Sequence, residues 1–487
     1  MIPLRGFATH REFRRTHEII PAHFIELVQM KKNPLNVVIL AAGKGTRMHS
    51  RLPKVLQPLG GRPLLGHVLA RASEIHADRT IIVYGHGGDA VPSAFPDPSL
   101  TFVVQEPQLG TGHAVQMTLP HLLPGGSTLV LYGDVPLIQA RTLSALCAHS
   151  DRVTLLTCEL DDPVGYGRIV RDAKRNVRRI VEENDASAAE RSLREINTGV
   201  LCAPTGLLTG WLQKLRADNA KKEYYLTDIV AMAITANVRV KTFQPGEPWE
   251  IHGVNSKDQL ARVERVFQLQ QAMALMRQGV TLADPWRFDL RGKLACGQDV
   301  FIDANCVFEG SVTLADDVSI GAGCVLRDVE IGPGSKIAPL TYMESAKIGA
   351  GCQVGPFARL RPGAQLADDV RIGNFVEIKG SQVGQGSKVN HLSYLGDTTV
   401  GRNVNIGAGT ITCNYDGVNK YRTIIEDEAF IGSDTMLVAP VTVGKGATIG
   451  AGSTITRDAP PDQLTLSRAP QTSIQGWKRP MKKPPAK

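Results

Sequence analysis

The sequence predicts an α/β protein in two unlike halves: an N-terminal doubly wound domain, a long linker helix, and a C-terminal parallel β-helix. Three observations predict it. Residues 37–254 alternate strand-like and helix-like stretches, the pattern of a mostly parallel sheet covered by helices. Residues 256–279 place Leu260, Val263, Val266, Phe267 and Leu269 on one helical face, with no Gly or Pro before Gly279. That predicts a single helix of about 24 residues and roughly 36 Å, a linker arm between the halves. From about 295 to 457, aliphatic–Gly pairs recur at Ile320, Ile331, Ile348, Val354, Ile372, Val383, Leu395, Val400, Ile406, Ile431, Val443 and Ile449, with many steps of 6, 12 or 24. One inward aliphatic per six residues and three hexads per triangular coil define a hexapeptide β-helix, here of roughly nine coils.

Composition narrows the class. The 487 residues suit about three domains, and 43% hydrophobic with 21% charged residues excludes overall disorder. No apolar run approaches the ~20 residues of a membrane span, so a soluble protein is expected. The net charge of +8 lies wholly in the tails, residues 1–36 and 475–487, and the chain between them balances to zero. Spaced lysines with Pro480, Pro484 and Pro485 read as a solvated end, so nucleic acid is not an expected partner. Eight cysteines, at 147, 158, 202, 296, 306, 324, 352 and 413, form no C-x-x-C pair and suit a reducing cytoplasm. The first 30 residues carry Arg5, Arg11, Arg14 and Arg15 without a continuous apolar stretch, so they are no secretory signal. A translation start at Met30, just before the first strand, is the favoured expectation, with an amphipathic presequence as the alternative. The expected divisions are 1–34 (an extension, disordered or untranslated), 35–255, 256–280, 281–474 and a basic tail, 475–487.

Within the first half, strands are expected at Val37–Ala42, Thr80–Tyr84, Thr128–Tyr132 and Val153–Cys158, and helices at Leu64–Ile75, Gly112–His121 and Arg141–His149. The segment Leu40-Ala-Ala-Gly-Lys-Gly-Thr-Arg-Met48 follows the first strand directly. Its glycines let backbone N–H groups approach an anion, although a tight turn needs the same residues. It matches neither the Walker loop nor the dinucleotide fingerprint. Arg47 and Lys54 add two cations able to neutralise a triphosphate and its departing pyrophosphate. Asp134, ending the strand segment TLVLYG, would project a carboxylate at the edge where such sheets bind ligands; a helix cap is the plainer alternative. Glu182 on its own reads as a solvated charge.

In the second half, His391 stands where an aliphatic–Gly pair would be regular. An imidazole titrating near ~6.5 suits a general base, while a structural or surface His is the alternative. The repeat breaks at Thr412–Arg422, either a tolerated loop or a functional one.

The run LAAGKGTRM with Leu52-Pro-Lys-Val55 resembles the signature of sugar-phosphate nucleotidylyltransferases. The likeness continues through Gln105, Gln108-Leu-Gly-Thr-Gly-His-Ala114, Tyr132-Gly-Asp134, Gly165-Tyr-Gly-Arg168, Glu182, Asn197-Thr-Gly199 and Gly253-Val-Asn255. With the hexapeptide half behind it, the chain resembles, over about residues 35–480, the bacterial bifunctional N-acetylglucosamine-1-phosphate uridylyltransferase/glucosamine-1-phosphate N-acetyltransferase family. The resemblance implies a Rossmann-like nucleotidylyltransferase domain and a left-handed coil, a hand that hexad spacing does not fix. It implies Mg²⁺ on Asp134 and Asn255, and Arg47 and Lys54 on the triphosphate of UTP. Gln105, Gly110 and Thr111 would read uracil, with the backbone of Leu40, Ala41, Ala42 and Gly43 assisting beside Tyr132 and Gly133. Gly167, Glu182 and Asn197 would hold N-acetylglucosamine-1-phosphate. For acetyl transfer it implies His391 as base, Arg361 and Lys379 on the phosphate of glucosamine-1-phosphate, and Tyr394 and Asn405 on the sugar. Ala408, Asn414, Tyr415, Ser433, Ala451 and Arg468 would line the acetyl-CoA site, in a homotrimer whose acetyl sites lie between subunits. Two other readings compete: a nucleotidylyltransferase with a purely structural β-helix, and a non-enzymatic scaffold. The first lacks a use for His391, Arg361 and Lys379, and the second for Arg47, Lys54 and Asp134.

Overall fold

The computed structural model describes residues 33–85 and 87–482. The expectations for residues 1–32 and for the end of the basic tail, 483–487, lie outside the described residues. Contacts divide the chain into two compact units. One is built from the segment ending at Gly43, Leu69–Gly133 and Ile138–Pro248, the other from Lys44–Val68, Asp134–Leu137 and the chain from Trp249 on.

The first unit holds a nine-stranded sheet. Its strands are β1 (Leu35–Leu40), β2 (Arg79–Tyr84), β3 (Leu100–Val104), β4 (Ser127–Tyr132), β5 (Val153–Glu159), β6 (Gly167–Arg171), β7 (Val177–Val181), β8 (Glu195–Pro204) and β9 (Val240–Phe243). The order is β9-β5-β8-β4-β1-β2-β3, with β6 paired to β8 and β7. Strands β4, β1, β2 and β3 run parallel, whereas β8 lies antiparallel to both β4 and β5. Val37, Val38 and Ile39 are wholly buried, as a strand covered on both faces requires. The first strand ends two residues earlier than its apolar run, because pairing stops at Leu40, opposite Val83 and Tyr132. Ala41–Gly43 therefore leave at the carboxyl edge. Asp134 likewise stands beyond β4, which ends at Tyr132. The expected helix Gly112–His121 is divided into Thr111–Gln116 and a single turn at Leu119–His121, where Pro120 supplies no N–H. One face of the sheet packs Val38, Val83, Val130 and Leu155 in a common core with Leu208, Leu212, Ile229 and Val230.

In the second unit the long helix spans Lys257–Arg277, 21 residues, with Ser256 at its N-cap position. It stops before Gly279, whose φ of 101° ends the helical path. It is more than a linker arm. Its first half packs Val263, Leu260, Val266 and Phe267 against Met48, Leu59, Leu64, Leu137 and Val254. Its second half contributes Ala272 and Leu275 to the core of the β-helix. Between these contacts Gln268, 1% exposed, acts as a substitute strand neighbour. Its Nε2 donates to Leu290 O at 2.9 Å, and Leu290 N donates to its Oε1 at 2.7 Å.

The β-helix is built of an 11-stranded and a 17-stranded sheet. Eleven rungs on one face exceed the nine coils expected, because the ladder runs past residues 295–457 at both ends, to Thr281–Leu282 and Leu464–Thr465, where no aliphatic–Gly pair announces it. All twelve aliphatics singled out by the repeat are buried. Not every step is a hexad. Leu326 to Ile331, Met343 to Ile348, Ile378 to Val383 and Leu395 to Val400 are inward pairs one residue closer than a hexad, all at the same corner. Asp328, Ser345, Gly380 and Asp397 turn that corner with φ of 52°, 46°, 55° and 50°. A left-handed residue tightens the turn, so the ladder stays in register with one residue fewer.

Replacing Gln268 by Leu would leave the Leu290 N–H and C=O buried without partners. The expected cost is about 2–4 kcal/mol, read as a lowered midpoint of the β-helix transition in thermal unfolding.

Candidate active sites

In the first unit, the loop after β3 carries the residues expected to read a base. Gln105 is 5% exposed, and its Nε2 donates to Gly110 O at 2.9 Å and meets His113 Nδ1 at 3.2 Å. Gly110 adopts φ +106°, and a Cβ there would stand 2.8 Å from Tyr224 O. Two backbone bonds, Gly112 N to Tyr224 O and Tyr224 N to Leu109 O, strap the loop down. Gln108 Nε2 donates to Ala42 O at 2.8 Å, tying the loop to the Leu40–Gly43 segment. Tyr132 lies against bare Gly199, where a Cβ would come 2.5 Å from its ring.

Gly167, Glu182 and Asn197 are brought together. Gly167 pairs with Asn197 across β6 and β8, and a Cβ on Gly167 would stand 3.5 Å from both Glu182 carboxylate oxygens. Glu182 is half-buried rather than a solvated charge. Burial pushes its carboxyl above the ordinary range, offset by a bond from Thr227 Oγ1 at 3.0 Å. Asn197 is 8% exposed and its Oδ1 is buried without a hydrogen-bond partner. An orphaned amide oxygen beside a bare glycine is a vacancy for a ligand donor. Sequence reasoning assigned no role to Arg168. Its guanidinium is 1% exposed, donates to Leu193 O and Tyr166 O, and pairs with Glu183 Oε2 at 2.8 Å, fastening the chain on both sides of Gly167 and Glu182.

In the second unit, the ammonium of Lys54 pairs with Asp134 Oδ2 and bonds Asn255 Oδ1 at 2.9 Å. The two oxygens expected to hold a metal therefore converge on one cation. Val254 N donates to Asp134 O at 2.9 Å and Gln259 Oε1 accepts from Asn255 N at 2.8 Å, which fixes both ligand-bearing segments. Gly45, with φ +58°, lies so close that a Cβ would stand 2.8 Å from Lys54 Cβ. Arg47 is exposed.

On the β-helix, His391 ends a strand opposite Asn374, and its Nδ1 lies 3.1 Å from Asn374 Oδ1. One corner of successive coils is occupied by Asn374, His391, Ala408, Ser433 and Ala451, and the side chain of Arg468 reaches it. Gly409 N donates to His391 O, Asp434 N to Ala408 O and Gly452 N to Ser433 O, while Arg468 Nη1 reaches Ala451 O at 2.7 Å. Arg361 pairs with Glu377 at 2.9 Å, and Lys379 with Asp397 at 3.6 Å. Asn414 Nδ2 donates to the same Asp397 at 2.5 Å. Tyr394 lies over Gly396, and burial, then the Asp397 and Glu377 charges, raise its hydroxyl above the ordinary phenol value. Asn405 stands apart from these three, in the 11-stranded sheet beside Lys388. The insertion is a small hairpin: strands Ile411–Cys413 and Thr423–Ile425 stay in the ladder, and Tyr415 bridges Lys420 between them. Tyr415 is 59% exposed. Asn374, Glu377, Asp397 and Thr227 carry no sequence signal, since their partners are set by coil register and tertiary contact.

Such a chain is a nucleotidyltransferase domain followed by a hexapeptide-repeat transferase. Residues 37–198 match the family model of the MobA-like NTP transferase domain, 290–383 that of a GMPPB C-terminal domain, and 422–457 that of bacterial transferase hexapeptide repeats. The bifunctional protein GlmU of Nitrosospira multiformis is 60% identical over 456 residues, 93% of this chain and 99% of its own. Those of Azoarcus sp. and Bordetella parapertussis are 60% and 58% identical, over 92% of this chain and 100% of theirs. The chain belongs to the bifunctional GlmU family, bifunctional transferases of UDP-N-acetylglucosamine synthesis with a left-handed hexapeptide β-helix.

Glu182 gives a testable sign. Its folded-state pKa lies above the unfolded value, so ionisation costs stability as pH rises through that interval and the cost persists above it. Glu182→Gln is expected to raise the unfolding midpoint at pH 7–8 more than at pH 4, while raising KM for N-acetylglucosamine-1-phosphate.

Proposed function

We propose that the chain acetylates glucosamine-1-phosphate with acetyl-CoA and then transfers UMP from UTP to N-acetylglucosamine-1-phosphate, releasing pyrophosphate. The product supplies peptidoglycan, lipopolysaccharide and other cell-wall precursors, in the cytoplasm. The corner column of Asn374, His391, Ala408, Ser433 and Ala451, with the Arg468 guanidinium on Ala451 O, carries the reading. A purely structural β-helix has no need of a base aligned with a cation along successive coils. Functionally we divide the chain as 35–255 for uridylyl transfer, 256–280 as the helix and 281–474 for acetyl transfer.

For uridylyl transfer, Gln105, Gly110, Thr111 and the Leu40–Gly43 backbone receive the nucleotide, and Gly167, Glu182 and Asn197 the sugar. The hard-oxygen pair of Asp134 and Asn255 fits Mg²⁺, since both oxygens already converge on a cation. Bound there, the ion would supply charge neutralisation of the triphosphate and the leaving pyrophosphate. An ammonium does not share both oxygens with a divalent cation, so Lys54 then lends its charge, with Arg47, to the phosphates. The sugar phosphate oxygen attacks the α-phosphorus in line, and no protein nucleophile takes part.

For acetyl transfer, Asn374 Oδ1 accepts from Nδ1–H of His391 and leaves Nε2 as the base. Nε2 removes a proton from the glucosamine nitrogen as it attacks the thioester carbonyl; the C–S bond then breaks, and CoA leaves as a thiolate that takes up that proton. Arg361 and Lys379 hold the phosphate, each steadied by its carboxylate, and Tyr394 and Asn405 hold the sugar. The hairpin bearing Asn414 and Tyr415 closes over the CoA arm with Ala408, Ser433, Ala451 and Arg468.

An exposed apolar ridge supports a homotrimer. Leu340, Phe357, Phe375 and Leu392 succeed one another at one corner, 47–60% exposed, with φ of 60°, 56°, 56° and 47°. The rings of Phe357 and Phe375 stack at 5.2 Å. Bulky residues in left-handed backbone are costly, and a continuous apolar ridge is more than solvent exposure calls for. Packing against further copies accounts for both.

With glucosamine-1-phosphate, acetyl-CoA, UTP and Mg²⁺, free CoA and pyrophosphate are both expected, the latter dependent on acetyl-CoA. Pyrophosphate without CoA would favour the structural β-helix. His391→Ala is expected to abolish acetyl transfer and spare uridylyl transfer, and Asp134→Asn to do the reverse, each followed by the separate product. Phe357→Asp is expected to yield monomers by sedimentation, losing acetyl transfer while keeping uridylyl transfer. A trimer retaining full acetyl transfer would refute the ridge as interface.

A further inference from the structure

His113 belongs to the Gln108–Ala114 run, yet nothing above gives it a task. It begins a chain of hydrogen bonds that decides which end of the Gln105 amide is offered to a ligand. Gly110 O is a carbonyl and can only accept, so the Gln105 atom 2.9 Å away is the NH₂ nitrogen. The same nitrogen lies 3.2 Å from His113 Nδ1, which must then accept, placing the imidazole proton on Nε2. Both amide hydrogens of Gln105 are thereby spent inside the protein. What the side chain has left to offer is Oε1, an acceptor.

An acceptor fixed in that orientation suits a base edge that donates. Uracil carries N3–H between two carbonyls, whereas cytosine carries a bare N3 lone pair at the same place. Facing Oε1, the first makes a hydrogen bond and the second opposes two acceptors in a desolvated pocket, which is how polar sites discriminate most strongly. We infer that His113 is a specificity-determining positioning residue for the nucleotide: through Nδ1 it holds the Gln105 amide with Oε1 outward, selecting UTP over CTP. The inference rests on the reading that Gln105 faces the base.

Two observations support a neutral, acceptor imidazole. Burial holds the His113 pKa below the ordinary histidine value. The ring also lies against Tyr224, centroids 6.2 Å apart, on the segment that straps the loop, so it is packed in place. An imidazolium would donate from Nδ1 and compete for the Gln105 oxygen, turning the amide the wrong way.

The test uses the full-length protein and compares kcat/KM for UTP and CTP with N-acetylglucosamine-1-phosphate as acceptor. His113→Phe keeps a ring against Tyr224 and removes the lone pair, while His113→Asn loses the ring and returns an acceptor, Oδ1, near the position of Nδ1. The Phe variant is expected to lose about tenfold or more of the UTP/CTP preference, chiefly through a higher KM for UTP, with KM for the sugar phosphate unchanged. The Asn variant is expected to keep the preference within a few-fold. A preference unchanged in Phe, or lost equally in Asn, overturns the inference. Should Phe be inactive with both nucleotides, His113→Asn against the size-matched His113→Leu decides in the same way. Gln105→Ala separates the two levels: an unchanged KM for UTP there would refute the base-reading role of Gln105 itself.

Discussion

The acetyl-transfer half depends on one constraint, the register of the parallel ladder. Asn374, His391, Ala408, Ser433 and Ala451 are far apart in sequence and share a corner only because each coil returns the backbone to the same place, where the side chain of Arg468 reaches Ala451 O. Every backbone N–H of one coil needs the carbonyl of its neighbour, so a slip of one residue would rotate all later side chains between inside and outside. The five-residue steps show how the ladder tolerates variation: a missing residue is absorbed by left-handed Asp328, Ser345, Gly380 or Asp397 at a corner, never within a strand. The hairpin after Cys413 does the same for an insertion, since Thr412 and Ile425 remain paired with Leu437 and Val443.

Corners also explain three of the cysteines. Ser335 and Ser387 donate inward to carbonyls of the next coil, to Gly349 and Gly401 at 2.8 and 2.7 Å. Cys306, Cys324 and Cys352 occupy equivalent positions, with Sγ 3.2, 3.3 and 3.1 Å from the carbonyls of Gly321, Ala338 and Ala367. Burial pushes Cys306 up to about 11 and Cys324 up to about 12. A thiol held protonated is a small buried donor, and neither a nucleophile nor a metal ligand at neutral pH. For these three of the eight cysteines, the spacing in sequence is the spacing of turns.

What was legible in the sequence was what repeats or is local. The twelve aliphatics mark inward positions because burial imposes their period, and the long apolar runs mark β1, β4 and β5 because both faces of those strands are covered. The rungs at the two ends, Thr281–Leu282 and Leu464–Thr465, lie outside the legible repeat, since neither carries an aliphatic–Gly pair. Antiparallel β8 was invisible, because strand direction leaves no mark on composition. Of the sites, the residues carrying charge or a glycine turn could be named, whereas their partners could not. Glu182 reads as solvated until Thr227 and Gly167 are seen beside it. His391 lacks an orienting group until a strand one coil earlier supplies Asn374.

The two chemistries ask for different kinds of support, and the structure differs accordingly. Phosphoryl transfer needs charge and alignment more than any single group. The oxygens and cations we propose for it, Asp134, Asn255, Lys54 and Arg47, accordingly sit on loops and on the single 3₁₀ turns Thr46–Met48 and Lys54–Leu56, beside the apolar cluster of Met48, Leu137, Val254 and Val263. Acetyl transfer needs one proton acceptor whose tautomer and direction are set beforehand. A strand end suits the task we propose for His391, because pairing opposite Asn374 fixes its backbone while the amide at 3.1 Å orients its ring. Rigid scaffolding is thus spent where a lone pair must point. Where the requirement is charge alone, converging loops suffice.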